Sequence, residues 1–313
     1  MRIGVVTTGR SDAGILEPLI QTLGEEALVF DTNYHLKSDA LVGQASAIGT
    51  VAKEMSESLF KCNLDKIVLL GDRYETVATA LAAYSLHIPI VHLEGGEITN
   101  GSLDQGYRWC ISELATYHCA ATKKAVKRLK SCGMTNVYHT GALGCHGLDT
   151  LIPWWASKRI YDFVFCYYPS LEQHDPLPYV RVLAELGTVL WVGPNNDAGR
   201  GLVASRMTDP PQGVVTTPSL TREVFLAYVK AAKAIVGNSS AGIIEAPSLG
   251  TRTINIGCRQ EGREAAKSVV YCPEKADWVR MWAKKAIRET PKKYPNPYYK
   301  KDCLKKIIEI CRK

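Results

Sequence analysis

The sequence predicts an α/β protein made of two Rossmann-like, doubly wound parallel domains. Three observations carry this. Short apolar runs bounded by turn residues alternate with helical patterns along the 313 residues. The alternation runs twice, on either side of an interruption at "LIPWWASKRI" (151–160), where a proline and two tryptophans break the pattern. Finally, polar or glycine-rich residues follow the carboxyl end of strand after strand, where ligands of such sheets bind.

Taken in order, the first half places strands at 3–8 ("IGVVTT"), 27–31, 66–70 ("KIVLL"), 88–93 ("IPIVHL"), 117–122 and 136–141. Helices fill the gaps near 13–23, 46–61, 73–86, 106–114, 122–131 and 145–151. The second half repeats the plan with strands at 163–167, 188–193, 213–217, 234–238, 252–257 and 268–271. Its helices are expected near 176–186, 220–231, 240–249, 261–266 and 275–289. In "CLKKIIEIC", Leu304, Ile307, Ile308 and Cys311 fall at i, i+3, i+4 and i+7, one face of a last helix that must pack on a domain. The domains expected are 1–155, 156–295, and a terminal helical segment 296–313 packing on the first.

Composition narrows the class. Hydrophobic content of 46% with 22% charged residues is that of a globular protein, and no apolar run is long enough to cross a bilayer. The opening "MRIGVVTTGR" reads as a strand, and the ten cysteines form no CxxC pair, so reduced thiols in a cytoplasm are expected. No metal site and no cofactor are expected. The net charge of +7 is unevenly spread: residues 1–120 carry 8 basic and 15 acidic side chains, whereas 274–313 carry 13 and 5. "TKKAVKRLKSCG" is the second basic segment. Such segments are either solvated helix faces or a surface for a polyanion.

The stretch "GNSSAGIIEAPSLGT" (237–251) opens a helix with small residues only. Asn238 or Ser239 can cap it, or the helix start is left open for a phosphate, with Ser239, Ser240 and Gly242 around it. Arg10 and Arg73 suit a diphosphate, Glu245 is spaced to accept from ribose hydroxyls, and Arg259 can close over a nucleotide. Asp72, Glu94 and Asp104 are carboxylates for proton transfer.

These residues resemble the hydrolysing and non-hydrolysing UDP-N-acetylglucosamine 2-epimerases. The resemblance rests on "TGRSDAG", "LLGDRYE", "HLEGGEITNGSLDQGYR", "PNNDAG", "GNSSAGIIEAPSLGT" and "INIGCRQEGRE", which span nearly the whole chain in order. It implies the glycosyltransferase B-type architecture: two Rossmann-like domains facing a cleft, with the last helix crossing back to the N-terminal domain. It also implies that Arg10, Arg73, Ser239, Ser240, Glu245 and Arg259 bind UDP. Asp72, Glu94 and Asp104 would serve C2 proton transfer and anti elimination of UDP, with Arg108 beside them, and Asn195 and Asp197 would contact the sugar.

Three departures stand out. Tyr168 precedes Pro169 where the family carries a histidine, and a tyrosine titrating near ~10 is a poor proton carrier at neutral pH. His174, six residues on, could substitute only if its loop folds back. Gln105 and Trp109 stand where the hydrolysing branch carries a carboxylate and an imidazole. The segment before "GDRYE" is short.

With UDP-binding positions kept, proton-transfer positions altered, and basic segments at 123–130 and 280–313, the leading expectation is a UDP-sugar-dependent glycosyltransferase. Its acceptor would be a hydroxymethylated pyrimidine in DNA, in a bacterium or a phage-infected bacterium. Trp109, Tyr167 or Tyr168 would stack on a flipped base, or simply pack in the core. The alternative is a UDP-N-acetylglucosamine 2-epimerase, hydrolysing or non-hydrolysing. A non-catalytic UDP-sugar sensor is third. The partners expected are a UDP-sugar and a nucleic acid, with no membrane; a homodimer is left open.

Overall fold

The fold is described from a computed structural model, which places residues 1–32, 41–151, 160–168, 170, 175–194, 200–289, 292 and 294–313. Contacts divide the chain into two units: residues 1–98, 103–146 and 297–313, and residues 99–102 with 147–296.

Unit 1 is built on six parallel strands: β1 (Ile3–Thr7), β2 (Ala27–Asp31), β3 (Lys66–Leu70), β4 (Ile90–Leu93), β5 (Tyr117–Ala120) and β6 (Val137–His139). Their order is β2-β1-β3-β4-β5-β6, so the winding reverses between β1 and β3. Period-2 alternation sends successive side chains to opposite faces. Ile3, Val5, Val68, Leu70, Val91 and Leu93 pack on α1 (Arg10–Leu23) and on α13 (Cys303–Cys311) at the end of the chain. Val6, Ile67, Leu69 and Ile90 pack on α2 (Leu41–Phe60), α3 (Tyr74–Ser85) and α4 (Asp104–Leu114). Because β3 is covered on both faces, every residue of "KIVLL" is buried, Lys66 included. The Lys66 ammonium donates to the Cys311 carbonyl at 3.1 Å, which suits a cation at the carboxyl end of α13. Ile307, Ile308 and Cys311 of the predicted face are buried here. The helix α5 (Lys123–Ser131) follows β5, and α6 (Leu148–Leu151) lies just past the start of the second unit's long segment.

Unit 2 holds β7 (Phe163–Cys166), β8 (Val189–Val192), β9 (Val214–Thr217), β10 (Ala234–Gly237), β11 (Arg252–Ile256) and β12 (Val269–Cys272). They are parallel in the order β12-β11-β10-β7-β8-β9. The reversal of winding falls between β7 and β10, the kind of switch point at which doubly wound sheets bind their ligands. Phe163, Phe165, Trp191 and Val236 face α7 (Leu177–Ala184), α8 (Arg200–Arg206) and α12 (Ala276–Arg288). Val164, Cys166, Leu190 and Ile235 face α9 (Arg222–Ala231).

Two expectations are corrected and one helix was not expected. The helix expected over 240–249 is two short ones, α10 (Ser240–Ile244) and α11 (Ala246–Leu249). Pro247 has no N–H to return to the carbonyl of Ile243, so the ladder breaks at Glu245. No helix forms over 261–266: Gly262 is left-handed (φ 95°) and the chain turns through Glu261 N–H to the Cys258 carbonyl. Helix α8 carried no expectation. Of the interruption at 151–160, residues 152–159 lie outside those described. Among the described residues no helix is long and apolar enough to cross a membrane.

Candidate active site

In unit 1 the functional side chains sit where β3 and β4 end. These strands are neighbours, with Leu70 paired to Leu93, so Asp72 and Glu94 leave adjacent strand ends. Gly71 turns the chain with φ 75°. Asp72 then meets the guanidinium of Arg108, which comes from one turn inside α4. Arg108 is 1% exposed, and its other donors serve the Glu97 carbonyl (3.0 Å) and the Gln105 side-chain oxygen (3.2 Å). A buried arginine with this many acceptors holds the Asp72 side chain in place. Asp104 stands in the first turn of the same helix, the end that favours a carboxylate.

Glu94 adopts a left-handed backbone (φ 64°), an uncommon choice for a residue with a side chain. Its neighbours over-determine that conformation. The Glu94 N–H donates to the Cys119 carbonyl at 2.9 Å, and Gly95 and Gly96 come next. A Cβ on Gly96 would lie 2.7 Å from Leu129 Cγ and 2.9 Å from the Ala125 carbonyl, so helix α5 admits only glycine there. Arg128 of α5 donates to the Gly96 carbonyl at 2.7 Å. Glu97, fully buried, accepts from the hydroxyls of Thr122 (2.7 Å) and Tyr298 (3.3 Å). The returning C-terminal segment thus fixes the loop that bears Glu94.

Arg73 caps α3 from its N-terminal side and forms two 3.1 Å hydrogen bonds to Glu75. Burial pushes the Glu75 carboxyl up, against the pull of Arg73. Arg10 opens α1; its side chain lies outside the described set.

In unit 2 the loops after β7, β10 and β11 are joined by one buried residue, Asn238, through its side-chain amide and its backbone carbonyl. Asn238 accepts from the Tyr168 N–H at 2.7 Å and donates to the Tyr168 carbonyl at 2.9 Å. Its own carbonyl accepts from Arg259 (3.2 Å) and Gln260 (3.0 Å). Gly237 precedes it with φ 128°, where a Cβ would fall 1.9 Å from the Cys166 carbonyl. The Arg259 guanidinium lies over the Tyr168 ring, 5.3 Å from its centre. Gly101 abuts the backbone of Cys258 and Arg259, and the Asn100 N–H reaches the Glu261 carbonyl at 3.0 Å.

Ser239 is the N-cap: its hydroxyl accepts from the Ala241 N–H at 3.3 Å, so the helix start is partly satisfied from within. Gly242 has a packing reason to be small, since a Cβ would come 2.6 Å from Thr253 Cγ2. Glu245 is buried against Arg222 of α9, with Oε1 3.0 Å from the guanidinium. Ser240 begins α10.

Several expected site residues are placed differently. Trp109 packs on the small core of Ala120, Ala125 and Leu129, the packing reading of the two expected for it. Tyr167 is 2% exposed, stacked on Phe165, with its hydroxyl donating to Glu274 at 3.1 Å; it is core. Asn195, Asp197, Pro169 and His174 lie outside the described residues. Sequence reasoning missed Arg222, Glu97 and His92. Only His92 gave a signal, as an imidazole within the otherwise apolar "IVHL". Among the described residues no group of three or more His, Cys, Asp or Glu could hold a metal ion.

Residues 5–312 match the family described as UDP-N-acetylglucosamine 2-epimerase. The chain belongs to that family. It is 32% identical over 277 residues to a UDP-N,N'-diacetylbacillosamine 2-epimerase (hydrolyzing) of Legionella pneumophila, covering 81% of this chain and 72% of that protein. It is 30% identical over 258 residues to a UDP-N-acetylglucosamine 2-epimerase of Neisseria meningitidis, covering 76% and 68%. The UDP-GlcNAc 2-epimerase of Methanocaldococcus jannaschii, solved with UDP-GlcNAc and UDP, shares the fold. Its TM-score is 0.79 at 15% identity, over 100% of this chain and 99% of that one.

Membership overturns the leading expectation. Relatives named as epimerases, hydrolysing among them, support the alternative reading over a glycosyltransferase acting on DNA. The basic segments are accounted for in part by the fold itself: Arg128 holds the Gly96 carbonyl, Lys306 pairs with Asp302 at 2.7 Å, and Lys300 donates to the His139 carbonyl at 3.3 Å.

Proposed function

We propose that this family member is a hydrolysing 2-epimerase acting on a UDP-linked 2-acetamido sugar. The observation that carries the reading is the pair of carboxylates at adjacent strand ends, Asp72 locked by buried Arg108 and Glu94 held on a strained turn. Proton abstraction beside an acetal needs a base fixed against the C2–H and a second charged group that does not swing away.

In this scheme Glu94 takes the proton from C2, the C1–O bond to UDP breaks, and a C1=C2 double bond forms. Water then adds its hydroxyl to C1 while Asp104 directs a proton to C2 from the opposite face. The products are UDP and the free C2-epimeric sugar. Asp72, held by Arg108, orients the sugar. UDP is bound in unit 2 by Ser239, Ser240 and Arg259, with Glu245 toward the ribose. The scheme draws on side chains alone. The name of the Legionella relative favours hydrolysis over retention of UDP.

The test is incubation with UDP-N-acetylglucosamine and with UDP-N,N'-diacetylbacillosamine in deuterated water. One of them is expected to release UDP and a free sugar inverted at C2 and deuterated there. A nucleotide sugar inverted at C2 with no UDP released would mean the non-hydrolysing reaction. Neither inversion nor deuterium in both sugars would defeat the reading.

A further inference from the structure

His92 is the third residue of β4, fully buried, two positions before Glu94. Its Nε2 lies 2.8 Å from the Gly71 carbonyl, the residue directly before Asp72. Its Nδ1 lies 3.0 Å from the Ser112 hydroxyl of α4. A Cβ on Gly95, the residue after Glu94, would fall 2.7 Å from that Nδ1 and 2.8 Å from the Ser112 oxygen. One imidazole therefore touches the turn that presents Asp72 and underlies the turn that presents Glu94.

The partners decide its protonation. A carbonyl can only accept, so Nε2 must carry the hydrogen and donate to Gly71. Nδ1 is then the acceptor, and the Ser112 hydroxyl donates to it. Burial depresses the imidazole to about 4, so it stays neutral across the physiological range. A group that neither charges nor reaches solvent is not a proton carrier. Its two hydrogen bonds point to adjacent elements, and its bulk sets how closely Gly95 can approach.

We propose that His92, held as the Nε2–H tautomer by Ser112, is a positioning residue that sets the Asp72 turn in register with the Glu94 turn. This rests on the carboxylate reading above. Gly71, left-handed at φ 75°, has its N–H on the Leu93 carbonyl at 3.1 Å. The His92 bond to the Gly71 carbonyl is the second tether, and with both made the peptide before Asp72 cannot rotate. Small displacements of a fixed base are costly in rate and nearly silent in binding.

The experiment compares His92→Gln, whose amide can still donate to the Gly71 carbonyl, with His92→Asn, whose shorter amide serves Ser112 only. On the UDP-sugar that is turned over, kcat is expected to fall about tenfold or more in the Asn variant and within about threefold in the Gln variant. KM and the affinity for UDP should stay near wild type in both. Equal losses in two variants of similar melting temperature, or a loss confined to KM, would overturn the proposal. Nitrogen-15 NMR of the unaltered protein gives a readout independent of folding: the Nε2–H tautomer is expected, and an Nδ1–H ring sinks the idea. Asp72→Asn and Glu94→Gln are measured alongside. If they retain full activity, the carboxylate reading falls and takes this role with it; if they lose kcat while the two His92 variants are alike, only the His92 role falls.

Discussion

Where β3 and β4 end, in unit 1, the chain sets out carboxylates and buries the cations and hydroxyls that hold them. Where β7 and β10 end, in unit 2, it sets out backbone and amide instead. Arg108, Arg128, Thr122 and Tyr298 all point at the few residues around Asp72 and Glu94. At the other edge a single residue, Asn238, brackets Tyr168 with its side-chain amide and carries Arg259 and Gln260 on its backbone carbonyl. Two parallel six-stranded sheets thus present different chemistry from equivalent positions. The difference suits the proposed elimination, which needs a rigid charged group for the proton and oriented polar groups for a leaving diphosphate.

The sharpest break in that comparison is Glu94→Gln. The substitution keeps shape and removes the proposed base, so kcat is expected to fall about 10²- to 10⁴-fold. UDP affinity, read by calorimetry, should not move. A loss of UDP binding of similar size would place Glu94 with the recognition residues and dissolve the contrast.

Asp72→Asn acts on stability as well as rate. It strips the carboxylate from Arg108, which is 1% exposed and cannot turn to water. Removing one partner of a buried pair costs about 3–5 kcal/mol, toward the low end here because the Glu97 carbonyl and Gln105 remain as acceptors. Urea denaturation measures it. Unit 2 has a counterpart in Arg222 and Glu245, at 9% and 7% side-chain exposure against 2% and 22% for Arg108 and Asp72, and Arg222→Ala, which strands the buried Glu245 carboxylate, should cost a similar amount.

Acid provides the next test. His92 titrates near 4 in the folded chain against 6.5 when free, because burial opposes its charge. The unfolded chain therefore binds the extra proton first. Stability is fully present above about pH 6.5 and is lost as the pH falls toward 4, by roughly 3 kcal/mol from this residue. His118, also buried and also depressed to about 4, adds in the same direction. Denaturation at pH 7, 5.5 and 4.5, roughly spanning the window, should show a slope that His92→Gln flattens. Unit 2 has no buried histidine among its described residues, so its contribution to the slope should be small.

Gly242→Ala separates packing from binding in unit 2. The new methyl meets Thr253 Cγ2 at 2.6 Å, a crowding that costs about 1–3 kcal/mol. Lower melting temperature with intact UDP affinity is expected. The reverse would restore Gly242 to the ligand.

How much of the molecule was legible in its sequence depends on the range of each interaction. Strand β3 was legible because "KIVLL" is buried on both faces and so carries a continuous apolar run. The last helix was legible from its i, i+3, i+4, i+7 face. Carboxylates beside strand ends were legible as residue types at turn positions. Pairing across the chain was not. Arg222 meets Glu245 from 23 residues away and Tyr298 meets Glu97 from 201, and neither spacing marks a partner. Gly242 reads as room for a phosphate because Thr253, which it must admit, is invisible in a linear pattern. The same blindness inflates the basic segments: their lysines look unoccupied until the carbonyls and carboxylates they serve are placed. Trp109 likewise looks wholly available until its contact with Ala125 and Leu129 of α5 is placed.

The smallest effect is expected at Tyr168. The family resemblance puts a histidine there, and the open point is whether the phenol has taken over proton transfer. The geometry gives it another task. Its ring lies beneath Arg259 and its backbone is bracketed by Asn238, both of which survive loss of the hydroxyl. Tyr168→Phe is therefore expected to leave kcat within about twofold, because the face that attracts the guanidinium is unchanged. Tyr168→Ala removes that face and should weaken UDP several-fold, by about 0.5–2 kcal/mol, while kcat at saturation holds. A tenfold or greater loss of kcat in the Phe variant would move a proton-transferring group to the carboxyl edge of unit 2, and chemistry would then be shared by both sheets.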